Sequence, residues 1–288
     1  MRKLLTLAIA ACLGLVFWAC SQTPNTASQG EKLFAAHEGD RPVATEITAF
    51  APSQPVLAGT VTYGTTAAGE PMQGYLARPA EDFEPHPAII VIHEWWGLND
   101  NVATMTRRLA GEGYTALAVD MYGGQVAETR EQALELVGTV RNDQGGSERA
   151  QENLRQAYAY LETTQNAPAI ASLGWCFGGT WSLNTALLFP TELDAAVIYY
   201  GGGITTDPEQ LKTLEMPIIG FFGEEDSNPD PATVAEFERV LQELDKSVEV
   251  HLYEGAGHAF ANPSGTRYVA AAAMDAWEKT IAFLAEHL

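Results

Sequence analysis

A cysteine stands between glycines in GWCFGG, residues 174–179, directly after the apolar run 169–173. The form G-x-C-x-G between a strand and a helix has the spacing of a nucleophile elbow, with sulfur in place of a hydroxyl. The flanking glycines have a steric reason: an elbow presses strained backbone against its neighbours, where a Cβ would clash. Backbone N–H groups and the dipole at a helix start lower a thiol's pKa, so Cys176 at such a turn is expected as the thiolate, the form that attacks a carbonyl carbon. A phosphate-binding loop competes, but the G-x-G-x-x-G order is absent. A buried, inert cysteine is the other reading.

In elbow folds the acid and then the histidine follow the nucleophile along the chain. Here Asp226, in GEEDSNPD, and His258, in EGAGHAF, come in that order. Small residues around His258 let an imidazole reach the elbow, where it could take the thiol proton and later activate water. Asp226 would orient it. Glu224, Glu225 and Asp230 compete for the acid role, and Asp226 could instead cap its turn.

Such side chains need a sheet to hold them. Six runs predict strands: 87–93, 114–120, 169–175, 194–200, 217–223 and 248–253. They are apolar nearly throughout, which implies a sheet covered on both faces. Helical patterns intervene over 102–109, 130–140, 147–162, 180–188, 231–244 and 268–287, with Asn101 capping the first and Pro231 opening the fifth. The class is α/β, with a mostly parallel sheet and reactive groups at the carboxyl ends of its strands.

With 288 residues, 46% of them apolar, the chain suits one large domain. A net charge of -21 repels phosphate backbones and argues against a nucleic-acid partner. Arg2 and Lys3 followed by an apolar stretch to Trp18 form a signal-peptide pattern over residues 1–19, too short to be a stable span. Ala19-Cys20 and the polar residues after it resemble a bacterial lipoprotein signal. That resemblance implies an exported protein of the periplasm or cell envelope, lipidated at Cys20 and touching membrane only through that anchor. Residues 20–58, rich in Ser, Thr, Pro and Gln, read as a tether and loosely packed extension ahead of a domain at 59–288. With Cys12 removed and Cys20 lipidated, Cys176 has no disulfide partner within the chain.

HEWWGLN, GWCFGG, GEEDSNPD and the segment from YEGAGHAF to the C-terminus occur here in order. From about Thr60 to Leu288 the chain thus resembles the dienelactone hydrolases, cysteine-nucleophile members of the α/β-hydrolase superfamily. The resemblance implies Cys176 as nucleophile, His258 as base and Asp226 as its partner. It adds Glu94, whose carboxylate in that family contacts the thiol. No cofactor is implied, and HEWWG lacks the second histidine of H-E-x-x-H, so no metal is expected at His93 and Glu94.

The expected reaction is acyl transfer from a small ester or lactone through a thioester, with backbone N–H groups of Phe177 and Trp95 holding the oxyanion. Trp96, Tyr122 and Trp175 suggest an aromatic pocket. Family members acting on carboxylated lactones carry arginines where this chain has Gly124 and Asn262, the latter an expected substrate contact; both cationic clamps are missing, and Arg267 is near enough in sequence to compensate. A second reading is a surface-tethered binding protein that has kept the fold and lost turnover.

Overall fold

The computed structural model describes His37, Gly39 and residues 50–288 apart from 82–83 and 142–144, so the signal pattern and Cys20 lie outside the described residues. Eight strands follow in chain order: β1 (Val56–Thr65), β2 (Pro71–Pro79), β3 (Ala88–Ile92), β4 (Thr115–Val119), β5 (Ile170–Trp175), β6 (Ala195–Tyr199), β7 (Ile218–Gly223) and β8 (Val248–Tyr253). The helices are α1 (Asp100–Gly111), α2 (Arg130–Arg141), α3 (Gly146–Thr163), α4 (Phe177–Leu188), α5 (Pro208–Leu211), α6 (Pro231–Glu243) and α7 (Ala270–His287). One sheet takes all eight strands in the order β1-β2-β4-β3-β5-β6-β7-β8. The pairs β1·β2 and β2·β4 are antiparallel, and every other pair is parallel.

Every residue of β3 through β7 is buried, as continuous apolar runs under helices on both faces require. The edges behave differently. β1 and β2 alternate exposed and covered residues and are rich in Thr, Gly and polar side chains, so no apolar run announced them. β8, expected to be apolar nearly throughout, has no fully buried residue, because only one neighbour covers it.

Two expectations shift at element ends. α1 begins at Asp100 and is capped by Asn99, whose side chain accepts from the Val102 N–H at 3.2 Å. Asn101, expected as the cap, already lies within the first turn and donates to the Ser264 hydroxyl at 2.5 Å. The chain also packs ahead of residue 59. β1 starts at Val56, Ser53 and Gln54 donate to the free carbonyl of Gly111 at the end of α1, and Phe50 is buried beneath the Arg108 guanidinium, 4.9 Å from its ring centre. Exposed carbonyls at a helix end need such partners.

Candidate active site

The elbow forms where β5 runs into α4. Cys176 itself adopts φ 56° and ψ -115°, a conformation that costs a non-glycine residue about 1–3 kcal/mol. It is held there by its N–H, which donates to the Tyr199 carbonyl at 3.0 Å, and by its carbonyl, which accepts from Thr180 N. A Cβ at Gly174 would collide with the Gly178 carbonyl, and one at Gly178 with the Ile92 carbonyl. Those two glycines are therefore the steric condition for strand β5, strand β3 and helix α4 to converge beneath the sulfur. Phe177, the next residue, is the first of α4, so its N–H belongs to the unpaired set at a helix start.

His258 follows β8 in a loop brought against the end of β7: Glu225 N donates to the Ala256 carbonyl at 2.9 Å, and a Cβ at Gly223 would strike that same carbonyl. The Nδ1 of His258 donates to Asp226 Oδ2 at 2.8 Å, with both side chains essentially inaccessible. The other Asp226 oxygen accepts from Asn228 N at 2.8 Å. Of the four acids, Asp226 is the one hydrogen-bonded to His258. Glu224 and Glu225 are exposed, and Asp230 caps α6 through Thr233 N.

Cys176 is 1% exposed, and burial alone would raise its pKa; His37 and then His258 outweigh that and pull it down to about 5. Burial likewise works to lower the His258 pKa, yet Asp226 and the Cys176 thiolate hold it well above the ordinary imidazole value. Sulfur and imidazole thus favour a thiolate–imidazolium pair at neutral pH.

His37 is the residue sequence reasoning missed. It lies in the segment read as a loose tether, yet it is 1% exposed, its Nε2 is 3.1 Å from Cys176 Sγ, and its ring stacks on Trp95 with centroids 4.0 Å apart. The extension is therefore more than a tether at this point. Nothing in FAAHEGD announces it, since an isolated histidine amid small and polar residues carries no period. Arg141, at the end of α2, was also passed over. Its guanidinium donates to the Gly202 carbonyl at 3.4 Å and feels the charges of Cys176 and Tyr122, while burial lowers its pKa. A basic residue in a helix's last turn ordinarily reads as a solvated dipole partner.

The remaining expected residues divide. Glu94, buried, accepts hydrogen bonds from Tyr200 and from the Asn262 amide. Asn262, expected to face substrate, is thereby committed to Glu94, while its own carbonyl oxygen accepts from Ser264. Glu94, Tyr200, Asn262 and Trp175 line a small cleft of about 30 Å³. Trp95 and Trp96 pack against each other, 4.9 Å between centroids. Tyr122 packs against the rings of both His93 and Phe177, at 4.6 and 5.5 Å, in a three-ring cluster next to the elbow. Arg267 shares a cleft of about 470 Å³ with Asp226 and His258.

Residues 72–288 match the family described as "Dienelactone hydrolase family". The chain is 31% identical to a Saccharolobus solfataricus protein whose assigned name is carboxymethylenebutenolidase, covering 75% of this chain and 94% of that one. It is 32% identical to the protein usf of Aquifex pyrophilus, covering 76% and 95%. Among solved structures, a dienelactone hydrolase-like promiscuous phosphotriesterase from metagenomic libraries superposes with a TM-score of 0.71 at 23% identity, over 81% of this chain and 98% of that one. Brefeldin A esterase, a bacterial homologue of human hormone-sensitive lipase, superposes with a TM-score of 0.64 at 15% identity, over 92% and 85%. Both show the shared fold. An elbow cysteine above a parallel sheet, a histidine–carboxylate pair beside it and a family match over most of the chain converge: the protein belongs to the dienelactone hydrolase family and is an ester hydrolase of the α/β-hydrolase fold.

Proposed function

We propose that the protein cleaves a small ester or lactone through a thioester on Cys176. The thiolate attacks the carbonyl carbon, and the electron pair displaced onto oxygen is held by the N–H groups of Phe177 and Trp95. Collapse of this intermediate breaks the C–O bond, and the His258 imidazolium gives its proton to the departing alkoxide. Neutral His258 then takes a proton from water, whose oxygen attacks the thioester; the acid leaves, and thiolate and imidazolium are restored. Asp226 orients the ring and stabilises its charged form. Glu94, carried from the family resemblance, helps control when the thiol ionises.

The observation that carries this reading is the strained Cys176 at a helix start beside a buried, hydrogen-bonded His258–Asp226 pair. Gly124 and Asn262 in place of two arginines favour a substrate without a carboxylate, since neither can supply a charge-assisted fork. The aromatic surroundings favour an apolar acyl or alcohol group. The test assays short p-nitrophenyl esters and lactones with wild type and Cys176→Ala, following a thiol-directed label in parallel. Turnover that is lost in the variant and blocked by the label supports the mechanism; equal turnover in both removes it.

We further propose export and lipidation at Cys20, on the strength of the charged start, the apolar stretch and Ala19-Cys20. Intact mass of the mature protein tests this, with a diacylglyceryl-sized increment on Cys20 expected and an unmodified N-terminus refuting it.

A further inference from the structure

Three side chains from distant parts of the sequence meet at the sulfur: His37 from ahead of β1, Cys176 from the elbow and His258 from beyond β8. One ligand atom from each, the sulfur and two ring nitrogens, lies within 4.8 Å of the others, and all three residues are buried. His37 is fixed by its stack on Trp95 and by an edge contact with His258, 4.8 Å between centroids. His258 spends Nδ1 on Asp226, which leaves its buried Nε2 for the sulfur side of the ring.

We propose that Cys176, His37 and His258 form a binding site for a borderline-soft divalent cation of the zinc type, and that loading it takes the nucleophile out of action. A thiolate and two imidazoles are the ligands such an ion selects over oxygen donors. With bonds of about 2.3 Å to sulfur and about 2.0–2.1 Å to nitrogen, a tetrahedral ion holds these atoms roughly 3.3–3.6 Å apart. The His37–Cys176 pair, at 3.1 Å, and the 4.8 Å bound on the rest sit within small adjustments of that spacing. Asp226 behind His258 is the carboxylate–histidine arrangement that aims the opposite ring nitrogen at a metal. Ligation needs the thiolate and neutral rings, so binding expels the proton from the imidazolium. His37 lies outside residues 72–288, the stretch that matches the family.

The inference rests on the catalytic reading above only for the consequence of loading; the binding itself is measured without activity. The experiment uses the full mature chain, stripped with a chelator. Zn²⁺ alone is titrated against a chromophoric competitor, and Co²⁺ is added to a second sample to read the thiolate-to-cobalt charge-transfer band. One Zn²⁺ per chain is expected, with a cobalt band absent from Cys176→Ala and with Cys176 protected from alkylation. His37→Gln, which keeps a polar side chain of similar size, is expected to weaken Zn²⁺ by more than about tenfold, the smallest loss that even an outer-shell partner brings. His37→Ala should do the same, and unfolding temperatures of both identify any variant that has not folded. No stoichiometric Zn²⁺, no thiolate band, or unchanged affinity in both folded His37 variants would overturn the site. Ester turnover by the stripped enzyme in the absence of zinc binding would sink this inference alone. A zinc-loaded, thiolate-ligated chain whose stripped form turns over no ester would sink the catalytic reading and leave the site standing.

Discussion

Two buried histidines at the carboxyl end of the sheet, His93 after β3 and His258 beyond β8, meet opposite fates. His93 donates from Nδ1 to the Glu94 carbonyl at 2.6 Å and accepts at Nε2 from the Met121 N–H at 3.1 Å. Only a neutral ring can both donate and accept, and burial, its dominant influence, lowers its pKa accordingly. His258 is as deeply buried, but its neighbours are the Asp226 carboxylate and the Cys176 thiolate, and its pKa is raised. At an effective dielectric of about 20, one unit charge at about 4 Å is worth about 4 kcal/mol, or about three pKa units, so two anions can overcome desolvation. Burial alone does not set a histidine's charge; the sign of what touches it does. His93 packs beneath the elbow against Phe177 and Tyr122, whereas His258 faces the sulfur.

The largest disturbance of this contrast is to delete one of the two anions beside His258. Cys176→Ala is expected to cut ester turnover by about a millionfold, to background, as loss of a covalent nucleophile does. Next is the other anion: Asp226→Asn should cost about 10⁴-fold in kcat. In that variant, the His258 NMR titration should move down toward the behaviour of His93; a titration that stays high would show that Asp226 is not what separates the two rings.

The thiol itself reports the same balance. A depressed pKa means the thiolate is present above it and lost as pH falls through it, so Cys176 alkylation should be flat near neutrality and drop with a midpoint of about 5. His37→Gln should move that midpoint upward, because His37 is the largest of the influences lowering it. Calorimetry and alkylation then separate the other histidine. His93→Ala leaves the Met121 N–H unpaired and should destabilise by about 1–3 kcal/mol, seen as a lower Tm, with the alkylation midpoint unmoved. The smallest change is Glu94→Gln: removing a negative charge should shift the midpoint downward by less than the His37 substitution raises it, and an unchanged profile would take Glu94 out of the mechanism.

Much of the site was legible because its requirements are local. Gly174, Cys176 and Gly178 announce the elbow, since a Cβ at either glycine would strike backbone, and inner strands buried on both faces must be apolar throughout. β1 and β2 were not legible, because a hairpin with alternating exposure has no continuous apolar run. The acid was narrowed to four candidates by chain order, and geometry chose among them: Asp226 is buried against Nδ1 of His258, whereas its neighbours face solvent or cap α6. Asn262 looked like a substrate contact and is occupied by Glu94. Strain follows the same division. Cys176 shows its positive φ through the G-x-C-x-G pattern around it, while Tyr200 and Ala259, with φ of 37° and 61° beside Glu94 and His258, sit in no such pattern.

Residue types and their spacing by themselves determined the layered α/β architecture, the turn that presents sulfur and the chain order of its helpers, because sterics and hydrophobic periodicity act between near neighbours. Tertiary structure alone decided which carboxylate holds His258, which histidine is charged, and that His37 reaches the thiolate. Those outcomes depend on distance and desolvation between groups as many as 139 positions apart, and electrostatic energies at such a site are set by a few ångströms that no local pattern encodes.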